Sequence, residues 1–297
     1  MIKKSSLVIL FFIFIVTAVL VVRDIRQSGF RKTRSPVLLK RIAYGFSIRN
    51  TSNHVVERAI LRVHTPRPES STQCLQEIHS SQPYDVEYDA EGNSVFRYTF
   101  DRIPPYATRI IAVKADLLMR EAPRDGSGAT KEFYLAEDRY VEVTNPQIRH
   151  LARSLKTGDS LTTAQNIFQW IVRNIQYASY VKNNRGALAT LQTRQGDCTE
   201  MMHLFIALCR AGGVPARGIA GYRCPESCTL RPAQYHNWAE FYAEGRWRLC
   251  DPQRRVFMQE AEDYVAFKII GDLSEAPALD FDCFRVAGAD VAGRMLY

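Results

Sequence analysis

The sequence predicts an α+β protein in three parts: an apolar N-terminal helix, a small antiparallel β-sandwich, and a unit of helices followed by antiparallel strands. Three observations predict it. Residues 7–22 are uncharged and almost wholly apolar. From Ile42 to about Leu118, apolar and polar residues alternate between turn signals. Beyond Thr162, apolar residues recur at helical spacing and then give way to further strand-like runs. At 297 residues, with 46% hydrophobic and 24% charged, the chain has the composition of about two ordinary globular domains.

The apolar run LVILFFIFIVTAVLVV would form about 24 Å of helix, close to the hydrocarbon thickness of a bilayer. It ends in Val21, Val22 and Arg23 with no small-x-small cleavage site, so the expectation is an uncleaved signal anchor. Lys3 and Lys4 favour a cytoplasmic N-terminus, whereas the basic residues from Arg23 to Arg34 pull the other way. The short tail decides for a single pass through the inner (cytoplasmic) membrane, with the body in the periplasm or cell exterior. Residues 1–41 are read as this anchor with a basic juxtamembrane segment lying against anionic headgroups. Lys3 and Lys4, with the seven basic residues of 23–41 set against Asp24, account for the whole net charge of +8. The remainder is neutral and lacks the concentrated basic face that nucleic-acid binding requires.

Residues 42–120 are expected to form the sandwich. Tyr44, Phe46 and Ile48 alternate with polar neighbours, as do Leu61 and Val63, and then Phe96, Tyr98 and Phe100. Glu91-Gly92-Asn93 supplies a hairpin turn, and Pro104-Pro105 breaks the chain before Ile110, Ile111 and Val113. His54, His64 and His79 lack metal-ligand spacing and are read as surface or strand residues. Glu121 to Glu132 is polar and contains Pro, Gly and Ser, the best linker candidate, and residues 133–297 form the second domain. There, Thr162 and Thr163 offer an N-cap for a helix whose stripe is Ala164, Ile167, Phe168, Ile171 and Ile175.

The chemistry lies between Gly196 and Pro252. Asp197 is a good N-cap for a helix carrying Met201, Met202, Phe205, Leu208 and Cys209, ended by Gly212-Gly213 and Pro215. Cys198 therefore falls in the first turn, where unpaired amides and the positive helix end favour a thiolate and can cradle an oxyanion. Arg217 to Tyr222 reads as a strand, Tyr235 to Tyr242 as a second, and Trp247 to Asp251 as a third, with Glu244-Gly245 as the turn between the last two. In that hairpin Tyr242 faces Trp247 and Trp238 faces Asp251, so His236 and Asp251 share a face as diagonal neighbours while Cys250 points away. A carboxylate beside an imidazole fixes its tautomer and supports the imidazolium, the third element of a nucleophile–base–orienter arrangement.

The segments G-D-C, R-A-G-G-V-P-A-R-G, H-N-W-A-E and L-C-D-P strongly resemble the transglutaminase-like family, whose core is similar to that of papain-type cysteine proteases. The resemblance covers roughly Gln165 to Pro252. The N-terminal sandwich also looks like the β-domains that precede this core in exported bacterial members. The resemblance implies Cys198 as nucleophile, His236 as general base and acid, Asp251 as the orienting group, and Trp238 as a substrate-binding neighbour. The oxyanion side chain is left open among Gln192, Gln195 and Tyr177.

Of the remaining cysteines, Cys224 and Cys228 are expected in disulfides, with partners unassigned, and Cys209 as a buried thiol. His203 lies well round the helix from Cys198 and is expected to pack or cap. No metal or cofactor is called for. The expected activity is thiol-dependent acyl transfer on a peptide or protein substrate, leaning to peptidase or amidase because no calcium loop or acceptor motif is visible. The alternatives are a crosslinking transglutaminase, a non-catalytic scaffold, and a thiol–disulfide exchanger built on Cys224 and Cys228.

Overall fold

The computed structural model describes residues 38–119, 131–179, 184–271 and 282–296. The apolar run 7–22 and nearly all of the expected linker lie outside the described residues. Among the described residues no helix is long and apolar enough to cross a membrane.

The first part is built from six strands, β1 (Leu38–Asn50), β2 (Val56–His64), β3 (Gln73–Ser80), β4 (Asp85–Tyr88), β5 (Ser94–Ile103) and β6 (Thr108–Met119). The alternation read from the sequence sets their inward faces: Ile42, Tyr44, Phe46 and Ile48 of β1 meet Leu61 and Val63 of β2, and Phe96 and Tyr98 of β5, in one buried cluster. Two sheets enclose it, one running β1-β6-β3 and the other β2-β5-β4, all antiparallel. The turn before β5 places Gly92 at φ +68°, the left-handed conformation that favours glycine there.

The second part supplies four helices, α1 (Pro146–Leu155), α2 (Ser160–Asn174), α3 (Gly186–Thr193) and α4 (Cys198–Ala211). The two-residue strands β7 (Gln176–Tyr177) and β8 (Gln195–Gly196) pair in parallel. A third sheet then forms from β9 (Ala216–Arg223), β11 (Tyr235–Ala243), β12 (Arg246–Asp251), β13 (Val256–Phe257) and β14 (Tyr264–Ile270), in the order β13-β12-β11-β9-β14. The helix expected at Thr162 starts two residues earlier, because Asp159 is the cap: its side chain accepts from the Thr162 amide at 2.8 Å. Ile167 and Ile171 of α2 pack with Phe205 and Leu208 of α4 against Ala239 and Phe241 of β11. The opposite face of the sheet carries Ile219, Trp238, Leu249 and Tyr264.

Two boundaries differ from expectation. Leu38–Arg41, assigned by sequence to the juxtamembrane segment, are the start of β1, where Lys40 is buried and its ammonium donates to the carbonyl oxygens of Cys224 and Glu262. The C-terminal residues return to the first sheets: β10 (Cys228–Thr229) and β16 (Val291–Leu296) pair with β1, and β15 (Phe284–Ala287) with β2. The first two sheets and the unit beginning at 133 thus share strands. His54 and His79 are exposed beside Asp290 and Glu77, and His64 is buried at the end of β2.

At Gly221 no side chain fits. A Cβ there would lie 2.1 Å from the Val265 carbonyl oxygen and 2.9 Å from Cη2 of Trp238, so β9 and β14 pair only because position 221 is bare. Gly221→Ala is expected to destabilise the chain by about 2 kcal/mol, measured as a lower urea midpoint. An unchanged midpoint would contradict this packing.

Candidate active site

The site forms where the start of α4 meets the ends of β11 and β12. Asp197 caps α4 as the sequence predicts: its carboxylate accepts from the amides of Thr199 at 2.8 Å and Glu200 at 3.4 Å, and Glu200 accepts in return from the Asp197 amide at 3.2 Å. This reciprocal box fixes the first turn and presents the half-buried Cys198. It also occupies the amides of Thr199 and Glu200, so those two do not serve as the oxyanion cradle that the helix start suggests. Burial, reinforced by the neighbouring Asp197, pushes the Glu200 carboxyl up to about 7.

The hairpin delivers the other two groups. β11 and β12 pair as expected, Ala239 opposite Cys250 and Tyr242 opposite Trp247, across a turn in which Glu244 and Gly245 both have positive φ. His236 and Asp251 meet at 2.6 Å between Nε2 and Oδ2, both buried. Asp251 Oδ1 accepts the Arg254 amide at 3.1 Å, and Oδ2 also accepts the Tyr264 hydroxyl at 2.9 Å. Burial alone would lower the pKa of His236. Its hydrogen bonds to Asp251 and to the Cys198 thiol, together with the charges of both, outweigh burial and carry it up to about 9. With Nε2 on Asp251, Nδ1 is the nitrogen left for the Cys198 contact.

Trp238, expected to touch substrate, is instead a packing residue, 1% exposed. It lies behind the imidazole, its ring 6.3 Å from that of His236 and 5.1 Å from that of Tyr264, because even-numbered residues of β11 face the interior on that side. His203 packs as expected, stacked on Tyr140 at 5.5 Å, and burial lowers its pKa to about 4, which keeps it neutral. Of the oxyanion candidates, Gln192 donates to Gln147 at the start of α1, Gln195 is exposed, and Tyr177 is exposed opposite Gly196. Cys250 and Cys209 are buried thiols away from the site, and burial raises both pKa values. Cys224 and Cys228 are bonded to each other.

A cavity of about 300 Å³ opens beside Thr199, the residue after Cys198, and is lined also by Tyr140, Tyr235, Asn237 and Lys268 among others. Thr199 joins the two: its Oγ1 is 4.0 Å from the Cys198 sulfur and accepts from Asn237 Nδ2 at 3.0 Å. Sequence reasoning does not reach Thr199, Asn237 or Tyr264. The first two follow Cys198 and His236 directly, so their placement was available once the pair was fixed.

Residues 149–252 match the model of the transglutaminase-like superfamily, about a third of the chain, and are a transglutaminase-like domain. The particular proteins it is similar to are more distant. A proposed cysteine protease from Cytophaga hutchinsonii is 21% identical, with 87% of this chain and 91% of that one covered and a TM-score of 0.60; the two share a fold. The periplasmic domain of TgpA from Pseudomonas aeruginosa is 17% identical over 74% of this chain and 90% of that one, at a TM-score of 0.41. Red sea bream transglutaminase is 12% identical over 74% and 49%, at 0.33. No curated protein matches the sequence.

The raised pKa of His236 has a sign for stability. A histidine ordinarily near 6.5 and held at about 9 contributes stability that is fully present below pH 6.5 and is lost as pH rises through about 9. Wild type should therefore lose part of its stability advantage over His236→Gln between pH 6 and pH 10 in urea unfolding. A constant difference across that window would contradict the hydrogen-bonded imidazolium.

Proposed function

We propose that the chain is a thiol-dependent acyl-transfer enzyme that acts on peptide or amide bonds, as a peptidase or amidase. The observation that carries this reading is the His236 imidazole placed between Asp251 and Cys198. In the proposed reaction, His236 Nδ1 takes the thiol proton and the sulfur attacks the carbonyl carbon. The tetrahedral oxyanion is stabilised by the amide of Cys198 at the positive end of α4. The imidazolium then gives its proton to the leaving amine, which departs as the acyl–sulfur bond remains. Water, deprotonated by the same imidazole, releases the acid and restores the thiol. The cavity beside Thr199 is the place for the substrate group next to the scissile bond. Nothing in this cycle calls for a cofactor.

Transfer to an amine differs only in the second nucleophile. The proposed exported, membrane-anchored location rests on the sequence of residues 1–37, with the Cys224–Cys228 disulfide suited to an oxidising compartment.

Iodoacetamide at pH 6 should label Cys198 ahead of the other free cysteines of the folded chain, because among the described free cysteines it is the one hydrogen-bonded to the His236 imidazole. Slow, uniform labelling would favour the scaffold reading. In a casein hydrolysis assay, Cys198→Ala should abolish turnover, and Asp251→Asn should lower kcat/KM by about 10²–10⁴-fold. A labelled primary amine supplied with the substrate should be incorporated little; incorporation without faster hydrolysis would instead identify a crosslinking enzyme.

A further inference from the structure

Asp251 Oδ2 accepts two hydrogen bonds, one from His236 at 2.6 Å and one from the Tyr264 hydroxyl at 2.9 Å. Tyr264 comes from β14, at the far side of β9 from the hairpin, and is fully buried with its ring edge against Trp238 at 5.1 Å. Its strand is held by a segment of the first part of the chain. Thr72 Oγ1 donates to the Tyr264 carbonyl oxygen at 3.0 Å. Gln73 brackets Ala266, accepting from its amide at 2.8 Å and donating to its carbonyl oxygen at 2.9 Å, and the Arg67 amide donates to that same oxygen at 2.9 Å. Four hydrogen bonds from residues 67–73, the connection between β2 and β3 together with the first residue of β3, thus fix the two residues that set where the phenol stands.

We propose that Tyr264 is a positioning residue of this site, its hydroxyl fixing Asp251 Oδ2 against His236 and sharing the charge of that carboxylate, with residues 67–73 as the clamp that holds it there. The role deepens the thiol-enzyme reading and rests on it. A carboxylate with a single partner can rotate about its Cβ–Cγ bond. Here the Arg254 amide holds Oδ1, and His236 and Tyr264 converge on Oδ2, so both oxygens are pinned. A phenol donating to the oxygen that faces the imidazole also draws negative charge from it. Asp251 is thereby oriented strongly but attracts the imidazolium less than an undivided carboxylate would. That leaves His236 able to release its proton to a leaving group.

Among the described residues, the other charged and titratable groups around the trio include Cys198 on α4, Cys250 next to Asp251, Arg223 at the end of β9 and Arg254 after β12. Removing the phenol oxygen leaves Cys250 and both arginines in place, so Tyr264→Phe isolates the one hydrogen bond.

The test is the titration of His236 by NMR in full-length chain labelled at histidine Cε1, in a Cys198→Ala background, so that it reads the carboxylate pair whether or not the thiol is catalytic. Tyr264→Phe is expected to raise the pKa of His236 by about half to one unit, a fraction of the worth of one hydrogen bond to a charged group because the effect reaches the imidazole through Asp251. A purely structural residue would leave that pKa unmoved or lower it by loosening Asp251, and either result overturns the proposal. A more acidic fluorinated tyrosine at position 264 keeps the ring and hydroxyl, so it covers the case in which Tyr264→Phe does not fold. It should move the pKa down, and no movement would again overturn the proposal. In the clamp, Thr72→Val should reproduce part of the upward shift, and an unchanged titration would remove residues 67–73 from the account. Failure of the thiol-enzyme reading is seen separately, as slow iodoacetamide labelling of the wild-type cysteine.

Discussion

A charged imidazole survives burial only with a carboxylate at hydrogen-bond distance, and the rest of this structure serves that one contact. His236 is almost wholly enclosed, and enclosure by itself would make it a weak base that shed its proton well below neutrality. Asp251 reverses this. The hairpin turn at Glu244-Gly245 fixes the register that sets the two side chains on one face. The bare backbone of Gly221 lets β14 and Trp238 close in behind the imidazole, and the capping box of α4 presents Cys198 to the same ring.

The first part of the chain is more than a spacer. β10, β15 and β16 return to its sheets, Lys40 of β1 holds the disulfide loop, and residues 67–73 bind the strand that carries Tyr264. The buried Glu240 adds to this, accepting from Ser71 and pairing with Arg217 at 2.7 Å. Such cross-links are costly to leave unmade once their polar groups are buried, so the two parts are expected to keep a fixed relation around the site.

Much of this was legible in the sequence, for identifiable reasons. Period-two alternation exposed β1, β2 and β5 because each has one face in the core. Asp197 declared itself as a cap, and antiparallel register placed His236 and Asp251 together without any tertiary information. What stayed hidden depends on contacts distant along the chain. Asp159 takes the cap of α2 from the threonines because its carboxylate reaches the Thr162 amide first. Residues 284–296 hold two short strands whose partners, β1 and β2, stand at the other end of the chain, so local pattern does not show where they pair. Trp238 beside a catalytic-type histidine invites a substrate role, and only burial shows it to be packing. Tyr264 sits in an apolar strand where a tyrosine is ordinary, so its hydroxyl gains meaning only from the sheet order that sets it beside Asp251.

The contact at the centre of the account has a direct spectroscopic signature. A proton held between His236 Nε2 and Asp251 Oδ2 should give a strongly downfield proton NMR resonance in the full-length chain near neutral pH. The account predicts that this resonance persists in Cys198→Ala and vanishes in Asp251→Ala. Its absence from the wild-type spectrum, or its survival without the carboxylate, would contradict the arrangement on which the proposed chemistry stands.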